Sequence, residues 1–270
     1  MTGAADRALI VDALDNATYP EGVGLTLDTA WLGIYQVLWW YHQLDEGVDV
    51  LHVREANDLA KTVWRRRAQQ LEAYIAAAID VPPTELKLYL DQMMKLPRWQ
   101  GMQRNNPVGN GLRVLVSELC KRYANPAFGW VEEQDANLWF PGIRMPGRSR
   151  RPKIDVAAIR KEDERPRAVI SCKWAFKHDR ISDPTNECQE YKAAAVRRQI
   201  MDLGYYVVTN EMSVNRLDKI IDQPCVDGLI HVHLPSIAEL EQPSKLMAQA
   251  IATDRMVDLA HFIRDTAKWL

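Results

Sequence analysis

KIDVAAI at residues 153–159 and RAVISCKWAF at residues 167–176 flank the charged turn RKEDERP. Each run is short, apolar and rich in branched residues, and a polar turn between two such runs marks a β-hairpin. Asp155 stands on the first strand and Lys173, eighteen residues on, stands on the second. Neighbouring antiparallel strands bring such side chains to one end of a sheet. Lys173 interrupts an apolar run, where a charge is costly without a partner.

Outward from this hairpin the chain alternates. LRVLVSELCKRY at residues 112–123 reads as a compact amphipathic helix, and residues 128–140 as a strand pair with a turn. PGIRMPGRSRRP at residues 141–152 is a basic loop. A helix is expected over residues 186–203, ended by Gly204. Strands follow at YYVVTNE from Tyr205 and VDGLIHVHL from Val226, then a helical tail from Pro235 with a break near Pro243. This order describes an α/β (α+β) fold, a mixed central β-sheet flanked by helices.

Residues 1–108 read as a helical N-terminal region. Helical patterns run over residues 25–44, 55–79 and from Thr84, and residues 97–110, PRWQGMQRNNPVGN, read as a linker. Lys+Arg is 34 and Asp+Glu is 36, the net charge is −2, and 47% of residues are hydrophobic. Those figures suit a soluble globular chain and exclude disordered and disulfide-scaffold classes. No apolar run reaches the roughly 18–20 residues that span a bilayer, so no membrane partner is expected. The N-terminus lacks a secretory pattern, and Cys120, Cys172, Cys188 and Cys225 form no CxxC pair. A reducing cytoplasm with free thiols is the expected setting. Near-neutral net charge leaves nucleic acid open as a partner, since a basic lining can be offset by acids elsewhere.

Glu187 opens the helix after Lys173, and Glu118 sits in the helix before the sheet. Three carboxylates and one lysine could thus converge. Hard oxygen ligands of this kind suit Mg²⁺, which binds through a few carboxylates plus substrate phosphate. Such an ion activates water for phosphodiester hydrolysis, and a lysine holds the water and offsets developing charge. Taken alone, Asp155 and Lys173 also fit a surface ion pair.

The block Ser171-Cys172-Lys173-Trp174-Ala175-Phe176-Lys177-His178-Asp179-Arg180, followed by Glu187, resembles the active-site and recognition block of the CCGG group of type II restriction endonucleases. These belong to the PD-(D/E)XK nuclease superfamily. In that group Ser (here Ser171) replaces the acid two residues before the catalytic lysine, and a glutamate on the next helix (here Glu187) supplies the carboxylate. The resemblance implies a restriction-endonuclease-like catalytic and recognition core over residues 109–270. It implies metal binding by Asp155 and Glu187, with Cys172 in the metal set. Lys173 would position water, Ser171 would shape the catalytic site, and Glu118 would assist, with Glu85 as the other candidate for that auxiliary acid. Ile154 stands before Asp155 where the family has proline.

Lys177, Asp179 and Arg180 match the group's base-reading element. The chemistry agrees: Lys and Arg donate to guanine O6 and N7, and a carboxylate accepts from cytosine N4. Double-stranded DNA, Mg²⁺ and a two-fold homodimer, possibly a higher oligomer, on a palindromic site containing CCGG are the implied partners. The N-terminal helices would then clamp DNA or build the dimer. A repair nuclease without sequence specificity, or a DNA-binding relative that lost cleavage, would share much of this set.

Among other basic residues, Arg144, Arg148, Arg150, Arg151 and Lys153 suit a phosphate backbone or a solvated loop equally. The Trp64-Arg65-Arg66-Arg67 run reads as a solvated face, and Gln103, Asn105, Asn106 and Asn110 as minor-groove candidates. His231 and His233 lack a third ligand and read as structural. Trp39, Trp40 and Tyr41 read as core or subunit interface.

Overall fold

A computed structural model describes residue 27 and residues 107–145, 151–173, 176, 182–240 and 242–269. The chain divides into one unit of Met1–Gly111 with Ala238–Leu240, and a second of Leu112–Ile237 with Glu241–Leu270. The helices expected before residue 97 lie outside the described residues, as do Trp39–Tyr41, Trp64–Arg67, Glu85, Gln103, Asn105, Asn106, Arg148, Arg150, Lys177, Asp179 and Arg180.

The second unit is built on a mixed six-stranded sheet flanked by helices. Its strands are β1 (Phe128–Asp135), β2 (Lys153–Arg160), β3 (Pro166–Lys173), β4 (Gly204–Thr209), β5 (Gly228–His231) and β6 (Met256–Asp258), lying side by side in chain order. The first three form an antiparallel meander. The last three join β3 in parallel, which requires crossovers. Helix α2 (Asp183–Arg197) crosses from β3 to β4 and α3 (Val214–Ile221) from β4 to β5. Helices α4 (Pro235–Leu240) and α5 (Lys245–Ala252) lie between β5 and β6, α1 (Pro107–Tyr123) precedes the sheet, and α6 (Leu259–Asp265) follows it.

Strand β3 is central and buried on both faces, which is why AVISC reads as an unbroken apolar run. On one face Tyr206 meets Phe262 and Trp269, and Trp269 also touches Phe128 and Trp130. The Arg167 guanidinium lies 5.0 Å from the Trp269 ring centre, a cation–π contact that fixes the C-terminal residues against the sheet.

Several elements depart from the sequence reading. Residues 128–140 form one strand and a 3₁₀ turn (Ala136–Leu138), since Asp135 caps that turn by accepting the Asn137 N–H at 2.9 Å. α1 begins at Pro107, inside the stretch read as a linker; residues 112–120 are nearly all buried, and Lys121, Arg122 and Tyr123 at its end are exposed. α3 and β6 were not expected at all. β6 has three residues, too few for a periodic signal. α3 carries one: Val214, Leu217, Ile220 and Ile221 recur at helical spacing and are all buried.

The helix carrying Glu187 starts at Asp183 and stops at Arg197, earlier than the expected end at Gly204. Gln199 adopts φ 57°, and the N–H groups of Gln199 and Ile200 bond Val196 O at 3.0 Å and Ala195 O at 2.9 Å. That pair of bonds is a Schellman stop with glutamine in the left-handed position. Gly204 has another purpose: a Cβ there would meet the Tyr206 ring at 2.5 Å. Glycine suits position 199 better than glutamine. The variant Gln199→Gly should therefore gain about 0.5–1 kcal/mol, read as a higher urea midpoint.

Candidate active site

Strand pairing sets the first two positions. Val156 pairs with Ile170, and one further step in that antiparallel register sets Asp155 beside Ser171. Side chains alternate along a strand, so Asp155, Ser171 and Lys173 share one face. Here the Asp155 carboxylate takes over a ladder bond: its Oδ2 accepts the Cys172 N–H at 2.9 Å. The same oxygen lies 3.7 Å from Lys173 Nζ.

Helix α2 brings in the second carboxylate. Glu187, Cys188 and Tyr191 form part of its buried side. Glu187 Oε1 faces Lys173 Nζ at 3.5 Å, and Oε2 accepts from the Ser171 hydroxyl at 2.9 Å. Asp155, Lys173 and Glu187, the first and last 32 positions apart in sequence, therefore meet at the C-terminal end of β3. Serine at 171 fits this arrangement because a hydroxyl can donate to the incoming carboxylate, whereas an ionised acid there would repel it.

This cluster has the donors that Mg²⁺ uses: two carboxylates of hard oxygen, with Asp155 partly open to solvent. Among the described residues no three His, Cys, Asp or Glu side chains form a metal cage. Mg²⁺ does not require one, since it keeps waters and shares substrate phosphate oxygens. The Cys172 thiol is buried, which pushes its pKa well up, and Asp155 adds to the effect. A protonated thiol is a poor ligand for a hard ion, so Cys172 has only its backbone carbonyl to offer.

Glu118 is buried on α1, its carboxylate 2.9 Å from Lys121 Nζ. Cys120 and Arg113 of the same helix lie within electrostatic reach of Cys172. Lys153 is 61% exposed and 3.0 Å from Glu133; Arg151 is 87% exposed and 3.7 Å from Asp135. Each of these two cations therefore has an acid beside it.

Two buried polar residues near the site escaped the sequence reading. Tyr205 donates to Glu187 Oε2 at 3.1 Å. Glu211, fully buried just beyond β4, accepts the N–H groups of Phe176 and Ser213 at 2.9 Å and Arg216 Nη1 at 3.1 Å. It anchors the chain three residues past Lys173 and one before Lys177. An acid directly after the apolar run YYVVTN was the available signal.

His231 ends β5, and His233 lies beyond the strand. His231 Nδ1 accepts the His233 N–H at 3.1 Å while Nε2 faces Glu211 O at 3.2 Å, which suits a neutral ring protonated on Nε2. Burial pushes the His231 pKa down to about 4. Below pH 6.5 the unfolded chain takes up a proton that the folded ring refuses until about pH 4, so stability falls across that window. Acidification from pH 7 to 5 should cost about 2 kcal/mol at His231. Urea midpoints at the two pH values check this, and the drop should shrink in His231→Gln.

Comparison with protein-family models, curated proteins and solved structures finds no match to this chain. Among the described residues no helix is long and apolar enough to cross a membrane.

Proposed function

We propose that this chain is a Mg²⁺-dependent endonuclease of the CCGG restriction group, cutting double-stranded DNA at a palindromic site that contains CCGG. The observation that carries this reading is that Asp155 and Glu187 both lie within 3.7 Å of Lys173 Nζ, with Ser171 bonded to the glutamate. An ordinary surface ion pair needs one carboxylate and does not need a hydroxyl to orient a second.

In this reading Asp155 and Glu187 hold the metal, and Glu118 assists through its waters. Bound there, Mg²⁺ supplies charge stabilisation at the phosphate and a more acidic water. Lys173 Nζ hydrogen-bonds the attacking water and offsets charge on the phosphoryl oxygens. Water adds to phosphorus, the P–O3′ bond breaks, and the 3′ oxygen leaves with a proton, giving 5′-phosphate and 3′-hydroxyl ends. Lys177, Asp179 and Arg180 follow the Glu211-anchored Phe176 in the chain and read the C and G edges. Arg148, Arg150, Arg151 and Lys153 grip the backbone in this scheme. A palindromic target calls for a two-fold homodimer in the cytoplasm, one half-site per subunit.

Digestion of a sequenced plasmid with Mg²⁺, and run-off mapping of the ends, tests the reading. Discrete fragments ending within CCGG-containing sites are expected. A smear would favour the repair-nuclease alternative, and intact plasmid would favour a DNA-binding relative without cleavage.

A further inference from the structure

We propose that Tyr205 is a positioning residue that, together with Ser171, holds the Glu187 carboxylate in its metal-binding orientation. The role rests on the nuclease reading above and adds a residue to it.

Glu187 reaches the strand end from a helix and lacks the strand backbone that would steer an acid at position 171. A carboxylate so placed can rotate, and a metal ligand that rotates binds weakly. Two hydroxyls remove that freedom. Ser171 Oγ and Tyr205 OH both donate to Oε2, at 2.9 Å and 3.1 Å, which turns Oε1 toward Lys173.

Tyr205 is itself rigidly placed. It pairs with Val169 in the β3–β4 ladder, two residues before Ser171, so parallel register sets its side chain on the same face. Its N–H bonds Asp227 Oδ2 at 2.6 Å. Its ring stacks on Tyr191, one helical turn beyond Glu187, with centroids 6.1 Å apart. A buried tyrosine hydroxyl needs some partner. Here the hydroxyl meets both Ser171 and the Glu187 oxygen that Ser171 bonds, so the two hydroxyls and the carboxylate form one network.

The test uses full-length protein and Mn²⁺ alone, titrated by electron paramagnetic resonance. Tyr205→Phe keeps the ring and its stack, so the urea midpoint should move little. Mn²⁺ affinity should weaken about 10- to 100-fold. In a Glu187→Gln background the same change should have no further effect, since the group that Tyr205 orients is already altered. A wild type that binds Mn²⁺ with a Tyr205→Phe variant of equal affinity would overturn the positioning role alone. Equal losses in the two backgrounds would overturn it too, by showing a route other than Glu187. A wild type that binds no Mn²⁺ would remove the metal reading, and the positioning role with it.

Discussion

Lys173→Ala should leave DNA binding intact and lower the cleavage rate by about 10³-fold. Among the described residues the lysine is the cation that faces both acids, Asp155 at 3.7 Å and Glu187 at 3.5 Å. Its loss removes the positive charge that would hold water against the phosphate. Mg²⁺ would relieve repulsion between the two acids in the variant, so binding measured with metal present should survive. Single-turnover cleavage and a gel-shift titration separate the two effects. Unchanged cutting would remove Lys173 from the mechanism, and lost binding would make its role one of DNA affinity.

Glu187→Gln should be nearly as damaging, again about 10³-fold in cleavage, with little change in folding. The amide is isosteric with the carboxylate. Its oxygen can face Lys173, and its NH₂ can face Ser171 and Tyr205, whose hydroxyls then accept instead of donating. The amide thus keeps a contact with all three partners while the negative charge is gone. Metal affinity and cleavage should fall together, and the urea midpoint should not. A variant that kept wild-type cleavage would show that Asp155 suffices as the metal carboxylate.

The hairpin at 153–173 was legible because two local signals coincide there: branched apolar runs and a charged turn. A glutamate on the helix after Lys173 was legible through the resemblance, but that helix starts at Asp183, before the expected Asn186, so Glu187 lies a full turn inside it. The helix end was misread because Gly204 is a strong stop signal, while glutamine in a left-handed Schellman position leaves almost none. α1 carries Glu118 in its middle, a residue type that prefers water, yet residues 112–120 are nearly all buried. Residue type reports what a side chain prefers and not what packs over it.

By itself the sequence determined that Ser171 and Lys173, two residues apart on one strand, share a face. That Asp155 joins them depends on the register shift between Ala158 and Ile159, since a one-residue slip would turn it to the other face. Only the tertiary structure decided what these residues touch. The parallel addition of β4 carries Tyr205 to the carboxylate of a helix, and the strand's end carries Glu211 to Phe176. Both contacts join segments 18 to 35 residues apart. Their partners depend on sheet order and on how a helix lies over it, which are set by burial of the whole core and not by any local pattern.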